Sequence, residues 1–462
     1  MKKYFLLFGI VFFSTSAFSQ EVTGSWKGIL DVMGNKLPLV FHISKTDTVY
    51  TTKMDSPAQN AMGLPTSKTT FADDKLEIVA TGLAIFYQGT LQADSIVGTF
   101  NQGGIPFPLV LKKSDKPAFN RPQTPEPPFP YKTEKVLFHN KQKKIELAGT
   151  FTLPDSAGTF PAVVLIAGSG PNDRDETVFG HKPFLVIADY LTRNGFAVLR
   201  YDKRGVGESE GNFAKATLED FTADATAAFH YLKTRKEVDK SRIGLIGHSE
   251  GGIVAPMVAS QNKNVAFTVL MAAPGLKGTE IVLEQNRLGL EALNMEPENV
   301  EKSMALLSDI VNGLTAWEST EAEQTVLRDR LSQLWEQLPL LVKLKLKKDP
   351  YVRSQFNQMV QPGYRSFLQT DPAGFLRKIT CPTLVINGEN DTQVNASANL
   401  KAIHIALQEA GNNDVEIKSY PNLNHLFQES ATGHADEYAE IEQTISPEVL
   451  SDILNWLKQW TE

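Results

Sequence analysis

Cysteine and long apolar runs are scarce in this chain of 462 residues, and positive charges do not outnumber negative ones. Cys381 is the only cysteine, which excludes an intramolecular disulfide and a cysteine-based metal site. Lysine and arginine number 46 against 53 aspartates and glutamates, a formal net charge of −7. This balance gives no reason to expect nucleic acid or an anionic membrane surface as a partner. With 42% hydrophobic and 21% charged residues, the composition is typical of a globular protein with a large core.

The apolar run near the N-terminus, residues 4–13, is about ten residues long, which is too short to span a bilayer. Lys2 and Lys3 precede it, and small residues ending at Ser19 follow it. This order is typical of a secretory signal sequence cleaved after Ser19. We therefore expect residues 1–19 to be removed, and the mature protein to carry no membrane span and to be exported to a bacterial periplasm or secreted.

Residues 20–113 predict a separate domain that is rich in β-structure. Short segments of β-forming residues alternate there with glycine, asparagine and aspartate, which favours a small antiparallel barrel or sandwich. Residues 114–132 contain six prolines, so this segment is expected to be an extended, semi-rigid linker.

From residue 133 to residue 462 the pattern is that of an α/β fold. Short, continuously apolar segments alternate with helical ones, which predicts a buried and mostly parallel sheet. One long interruption, at about 276–377, holds amphipathic segments too numerous for a single crossover. It predicts a helical cap over the carboxyl edge of the sheet, where ligands of such sheets bind. The predicted cap helices are 280–293, 298–314, 321–338 and 340–347.

Residues 247–251 read G-H-S-E-G, the pattern G-x-S-x-G. The apolar run 243–246 precedes the motif, and a helix-forming segment, 252–259, follows it. A strand, a tight turn with serine at its apex and a helix are the context of a nucleophile elbow, because the flanking glycines leave room for a sharp turn. Ser249 is therefore predicted to be a nucleophile.

A serine nucleophile needs a base, and the base needs an acid to orient it. Asp391 comes just after one predicted strand, and His425 comes just after the next. Parallel strands end at one edge of the sheet, so we predict that Ser249, Asp391 and His425 meet there as a catalytic triad. Two alternatives stay open, Glu389 as the acid and His434 as the base.

Ester or amide hydrolysis also requires donors for the negative charge that develops on the carbonyl oxygen. The backbone N–H of Glu250 is one predicted donor, since it opens the helix behind the elbow. The loop at 167–171, A-G-S-G-P, should supply the other, for which we choose the N–H of Ser169. A phosphate-binding loop is the competing interpretation, but the G-K-[ST] that would open its helix is missing.

The stretches that carry a family resemblance are residues 168–175, 201–209, 247–251, 388–394 and 424–427. On these motifs, residues 133–462 resemble the α/β-hydrolase superfamily, in its branch of bacterial esterases and serine-aminopeptidase-like hydrolases. The resemblance implies hydrolysis of a small-molecule ester through an acyl-enzyme, with no cofactor and no metal. It gives Arg204 and Ser209 a structural role only. Ala167 stands where the family often has histidine.

Two other functions stay open on the sequence alone. A peptidase or amidase of the same fold would use the same triad, and the cap glutamates could then hold a substrate amino group. A secreted, non-catalytic protein that binds the cell envelope is the alternative from another class. Tyr364 and Phe367, which precede the strand before Asp391, are candidates for the acyl pocket, although packing in the core would explain them equally well.

Overall fold

The computed structural model describes residues 21–32, 35–56, 61–114, 119–155, 157–293, 295–345 and 347–461. The predicted signal sequence lies outside these residues and stays a prediction. The chain divides into two compact units, residues 1–118 and 119–462. Within the described ranges, no helix combines the length and the apolar character needed to cross a bilayer.

The first unit is an antiparallel β-barrel. Its described residues form nine strands in the order β2-β1-β9-β8-β7-β6-β5-β3-β4, and an additional β2–β3 pairing closes the ring. Alternate side chains, such as Trp26, Phe41 and Tyr87, fill the interior. The closing pairing decides between the barrel and the sandwich that the sequence left open. The strands are β1 Gly24–Val32, β2 Asn35–Thr46, β3 Val49–Ser56, β4 Ala61–Pro65, β5 Lys68–Ala72, β6 Lys75–Ala80, β7 Ile85–Gln92, β8 Ser95–Gln102 and β9 Ile105–Lys113.

The second unit is built on a mixed sheet, for which the described residues give the order β10-β11-β13-β12-β14-β15-β16-β17. β11 pairs antiparallel with both β10 and β13, and the six strands β12 to β17 are parallel to one another. Central parallel strands such as β15 and β16 are continuously buried because helices cover both faces of the sheet, whereas β17 at the edge carries polar residues. The strands are β10 Tyr131–Asn140, β11 Ile145–Pro154, β12 Phe160–Ile166, β13 Ala197–Tyr201, β14 Val238–His248, β15 Thr268–Met271, β16 Thr383–Gly388 and β17 Val415–Tyr420.

The covering helices divide the core in two. One face packs against α2 (Leu218–Thr234), α3 (Gly251–Gln261) and α11 (Ala396–Glu409). The other packs against α1 (Pro183–Arg193) and α12 (Pro447–Thr461). This is the α/β-hydrolase architecture that the sequence predicts, and its parallel strands end at one common edge.

Helices fill the chain between β15 and β16. Their bounds are α4 Gly278–Ala292, α5 Pro297–Thr315, α6 Glu321–Gln337, α7 Leu340–Lys345, α8 Lys348–Met359, α9 Pro362–Gln369 and α10 Ala373–Leu376. The first four lie at the predicted cap segments. The last three have no counterpart among the predicted helices. They are short, and α8 buries only Phe356 and Met359, so their apolar pattern is too sparse to read from the sequence.

The segment that begins at Phe119 belongs to the second unit, where it is held by hydrogen bonds to backbone groups. The guanidinium of Arg121 donates to the carbonyl oxygens of Phe179 and Ile441 at 2.8 Å each. The Gln123 side chain accepts from the Thr444 N–H at 2.6 Å and donates to the Ile445 carbonyl at 2.8 Å. The later part of the proline-rich segment is therefore fixed on this unit.

Gly247→Ala tests the turn that ends β14. A Cβ at this position would lie 2.1 Å from the carbonyl oxygen of Gly251, so the turn must distort. We expect a loss of roughly 1–3 kcal/mol or more in the free energy of unfolding, measured by urea denaturation followed by circular dichroism. Gly289→Ala, in α4, is the matched control: nothing lies within 4 Å of its added Cβ. Equal stability of the two variants would contradict this account of the turn.

Candidate active site

Ser249 occupies the turn between β14 and α3. Its φ of +53° lies in the left-handed region, which is rare for a residue with a side chain. The Ser249 N–H donates to the carbonyl of Met271 at 2.9 Å, and its carbonyl accepts from the Gly252 N–H at 2.8 Å. These bonds anchor a strained turn that raises the serine above the end of the strand, as a nucleophile elbow requires.

Asp391 and His425 meet in the loops after β16 and β17. The His425 Nδ1 lies 2.7 Å from Oδ2 of Asp391, and both side chains are buried. The other carboxylate oxygen of Asp391 accepts the N–H groups of Gln393 and Val394 at 2.8 and 2.9 Å. Both oxygens of the carboxylate are therefore engaged, and the imidazole has one fixed orientation.

The two alternative residues for this pair lie elsewhere. Glu389 accepts the hydroxyl of Ser419 at 2.7 Å, on the exposed side of the loop. His434 stands just before the short 3-10 helix Ala435–Ala439. In the described residues, no hydrogen bond joins the ring of His434 to Asp391. The geometry therefore favours Asp391 and His425 over both alternatives.

The loop after β12 approaches the elbow closely. A Cβ added at Gly168 would lie 3.1 Å from the Cβ of Ser249, which is closer than side-chain carbons ordinarily approach. The N–H of Gly168 is taken by Oε1 of Glu176 at 2.6 Å. The N–H groups of Ser169 and Glu250 have no acceptor among the described residues. Both are therefore donors that a ligand in this region can use.

Sequence reasoning missed the ionic partners that hold the loop. The buried ammonium of Lys203 lies 2.8 Å from Oε1 of Glu250 and also donates to the carbonyl of Gly168. It stands 4.5 Å from the ring centroid of Phe221, a cation–π contact. Lys203 and Glu250 are 47 residues apart. No local pattern marks such a pair, because only the folded sheet brings its members together.

The turn that carries Arg204 and Ser209 is held by its own polar contacts. The guanidinium of Arg204 lies 2.7 Å from Oδ2 of Asp224. The Ser209 hydroxyl donates to the carbonyl of Asp202 at 2.8 Å and accepts the N–H of Ala148 at 2.9 Å. Both side chains are committed to the loop, which agrees with the structural role implied by the resemblance.

A cavity of about 620 Å³ opens beside Ser249 under the cap. Tyr364 and Phe367, the predicted pocket residues, both line it, and burial raises the pKa of the Tyr364 phenol to about 12. Among the described lining residues, Glu250 is the one carboxylate. The rest of the lining is aromatic, aliphatic, amide, hydroxyl or glycine: Ser169, Gly170, Pro171, Phe213, Ala214, Ala216, Phe221, Pro274, Ile281, Val282, Gln285, Gln358, Gln361, Gly363, Gln393 and Val394.

A second carboxyl near Asp391, that of Glu284 on α4, does not line this cavity. Burial and the charge of Asp391 raise the pKa of Glu284 above its usual value. No group of three or more histidine, cysteine, aspartate or glutamate side chains in the described residues has an arrangement that could hold a metal ion.

Comparison with known proteins identifies the family of this chain. A family model described as "Serine aminopeptidase, S33" matches residues 183–430, more than half of the sequence. The chain belongs to this family of α/β hydrolases. Esterase EstD of Thermotoga maritima is 31% identical over 347 residues, which cover 74% of this chain and 72% of that protein. A non-heme chloroperoxidase of Burkholderia pyrrocinia is 29% identical over 55% of this chain and 87% of its own length. Among solved structures, the esterase Pf2001 of Pyrococcus furiosus aligns with a TM-score of 0.45 and 17% identity, over 76% of this chain and 100% of its own.

Lys203→Met tests the ion pair between Lys203 and Glu250, which lies behind the loop at residues 167–171, the predicted oxyanion loop. The variant leaves the carboxylate of Glu250 buried without its cation, and we expect a loss of about 3–5 kcal/mol in the free energy of unfolding. The double variant Lys203→Met/Glu250→Gln removes both charges and should recover most of this loss. The measurement is urea denaturation of both variants. The pairing would be contradicted by an undiminished stability of Lys203→Met, or by a double variant no more stable than the single one.

Proposed function

We propose that this protein hydrolyses neutral carboxylic esters through an acyl-enzyme on Ser249. His425 is the general base and acid, Asp391 orients its imidazole, and the N–H groups of Ser169 and Glu250 bind the oxyanion. The observation that carries the proposal is the buried Asp391–His425 pair, 2.7 Å apart, in the loops beside a strained Ser249. The relative named as an esterase, EstD, supports the same reaction.

The pairing of Asp391 with Nδ1 defines how His425 acts. Because Nδ1 donates its proton to the carboxylate, Nε2 is left as the basic nitrogen. Nε2 removes the proton from the Ser249 hydroxyl while Oγ attacks the ester carbonyl. The imidazolium then returns this proton to the departing alcohol as the C–O bond of the ester breaks. The acyl group remains on Oγ.

Water completes the cycle by the same route in reverse. His425 removes a proton from the water as its oxygen attacks the acyl carbon. The proton is then delivered to Oγ of Ser249, which leaves, and the carboxylic acid is released. In both halves the tetrahedral intermediate carries its negative charge on the former carbonyl oxygen. Two fixed backbone donors stabilise that charge more than the neutral substrate, which is what accelerates the reaction.

The commitment of the Gly168 N–H to Glu176 supports the choice of donors. A donor already bonded to a carboxylate is less able to serve the oxyanion, so the next N–H along the loop, that of Ser169, is the first without an acceptor. The N–H of Glu250 is likewise without an acceptor in the described residues, one position after the nucleophile. That position is where this fold usually places its second donor.

The cavity favours an ester over an aminopeptidase substrate, although the family description names an aminopeptidase. A substrate ammonium in a desolvated cavity needs a carboxylate partner. The Glu250 carboxylate is already paired with Lys203, and Glu284 lies outside the cavity lining. Three glutamates of the cap do not line it either: Glu318 and Glu321 are exposed, and Glu323 is half-buried. The buried Asp391–His425 pair and the strained Ser249 also argue against a non-catalytic binding protein, because binding alone requires neither feature.

Ser249→Ala should remove the nucleophile and leave the fold intact. We expect kcat for p-nitrophenyl butyrate to fall by roughly 10³–10⁶-fold, with an unchanged unfolding midpoint. The hydrolysis rate under saturating substrate measures this. Ser209→Ala is a serine-to-alanine control outside the triad, and its main effect should be on stability. Near-full esterase activity in Ser249→Ala would refute the proposed mechanism.

The ester preference is tested by two substrates that differ in one charge. The p-nitrophenyl esters of butyrate and of 2-aminobutyrate share a leaving group, and only the second carries an ammonium. After subtraction of spontaneous hydrolysis, we expect kcat/KM to be about tenfold or more higher for the butyrate ester, because the cavity offers no free carboxylate. A preference for the amino ester, or rapid cleavage of alanine p-nitroanilide, would instead identify an aminopeptidase.

A further inference from the structure

Glu176 and His248 form a buried pair that the reaction described above does not use. The Glu176 Oε1 lies 3.0 Å from Nδ1 of His248, and the side chains of both residues are 7% exposed. His248 immediately precedes Ser249, whereas Glu176 lies in the segment between β12 and α1. They are 72 residues apart, so the pair exists only in the folded sheet.

The pair joins the three loops that carry the proposed machinery. Oε1 of Glu176 also accepts the N–H of Gly168, at the start of the oxyanion loop. The other ring nitrogen of His248, Nε2, lies 3.0 Å from the backbone carbonyl of His425. The two imidazole rings lie 4.9 Å apart between centroids. One hydrogen-bonded chain thus runs from the oxyanion loop, through the residue beside the nucleophile, to the backbone of the general base.

Counting protons defines the charge of His248. A carboxylate oxygen and a carbonyl oxygen are both acceptors, so both ring nitrogens must carry a proton to bond to them. With Glu176 ionised, only the imidazolium satisfies both contacts. His181, which is also fully buried, is the contrasting case. One of its nitrogens faces the carbonyl of Tyr438 and the other faces the hydroxyl of Thr444, which can donate, so the neutral ring satisfies both.

The surroundings of His248 agree with this count. Burial alone would lower its pKa, but the charges of Glu176 and Asp391 outweigh it and raise the pKa above the usual value. The titratable groups that face His248 are Glu176, Asp391 and the ring of His425. The other residues that line the small cavity beside Glu176 and His248 are apolar: Pro183, Phe184, Ile187, Met271, Leu426, Phe427 and Ile445. For His181, by contrast, burial and the charge of Arg121 lower the pKa to about 4.

The backbone at Glu176 is strained in the same way as at Ser249. Its φ is +54°, in the left-handed region that a residue with a long side chain rarely adopts. Strain of this kind persists where the surrounding structure requires a particular side-chain position. Here the required position is that of Oε1, which serves the Gly168 N–H and the His248 ring at once.

We propose that Glu176 and a doubly protonated His248 are positioning residues that hold the oxyanion loop, the elbow and the His425 loop in one register. The proposal rests on the triad and oxyanion donors proposed above. Neither residue lines the cavity beside Ser249. Their effect is exerted through the position of the Ser169 N–H, which follows Gly168, and through the backbone of His425.

Glu176→Gln separates the charge from the shape. Its amide oxygen can still accept from both Gly168 and His248, but the carboxylate that holds the proton on His248 is gone. A neutral His248 cannot donate to both neighbours, so one of the three hydrogen bonds is lost. We expect kcat to fall by about 10–100-fold with KM within about threefold, because a misplaced donor affects the transition state more than binding.

The pH profile is the readout that a merely structural role would not move. Wild-type activity should decline on the alkaline side as His248 loses its second proton. In Glu176→Gln this decline should begin about 1–3 pH units lower, since an adjacent opposite charge shifts a pKa by that amount. His181→Gln is the matched control, because it removes a buried histidine whose ring bonds to Tyr438 and Thr444 rather than to the pair. It should lower stability and leave the pH profile unchanged. A wild-type profile in Glu176→Gln would overturn the proposal.

Two further measurements keep the test decisive if Glu176→Gln folds poorly. In wild-type protein labelled with ¹⁵N-histidine, His248, assigned by its absence in His248→Gln, should carry protons on both ring nitrogens at pH 7; one bare nitrogen would overturn the proposal. The kcat of the double variant Glu176→Gln/His248→Gln should be no lower than that of the less active single variant, whereas additive losses would count against a joint role. Fluorophosphonate labelling of Ser249 in the wild type checks the proposed function separately.

Discussion

The left-handed turn at Ser249 is the constraint on which the rest of the site depends. It lifts the hydroxyl above the end of β14, but it requires backbone contacts that only glycine permits at residues 247 and 251, where an added Cβ would lie within 2.1 Å of a carbonyl oxygen. The neighbouring strand holds the turn through the carbonyl of Met271. The parallel sheet then brings the loops after β12, β16 and β17 to the same edge, where they supply the other groups.

Charge pairing is the second organising feature. Three pairs of buried ionic groups lie at the site: Asp391 with His425, Glu250 with Lys203, and Glu176 with His248. An unpaired charge so close to the nucleophile would be costly to bury and would disturb the oxyanion. With the charges paired among themselves, the cavity offers aromatic rings and glutamine amides to its ligand, which suits a neutral ester. The pairs also hold the loops together, so positioning and electrostatic balance come from the same contacts.

Local patterns in the sequence predicted much of this fold, and they also indicated the residues of the proposed triad. Apolar strands and amphipathic helices can be recognised because each one lies within an unbroken stretch of sequence. Asp391 and His425 each stand just after a strand, and a parallel sheet brings such positions to one edge. Tyr364 and Phe367 were chosen from proximity to the acid strand, and they do line the cavity. The closed barrel could not be distinguished from a sandwich, since closure depends on the β2–β3 pairing. Lys203 and Glu176 escaped notice because their partners lie 47 and 72 residues away.

The most direct test of the central claim is the covalent reactivity of Ser249. The wild-type protein is treated with a fluorophosphonate and digested, and the adduct is located by mass spectrometry. The account predicts one adduct per chain, on the peptide that contains Ser249, and a much slower reaction in His425→Gln, in which the general base is lost. An active esterase that forms no adduct, or that is labelled at another residue, would contradict the account.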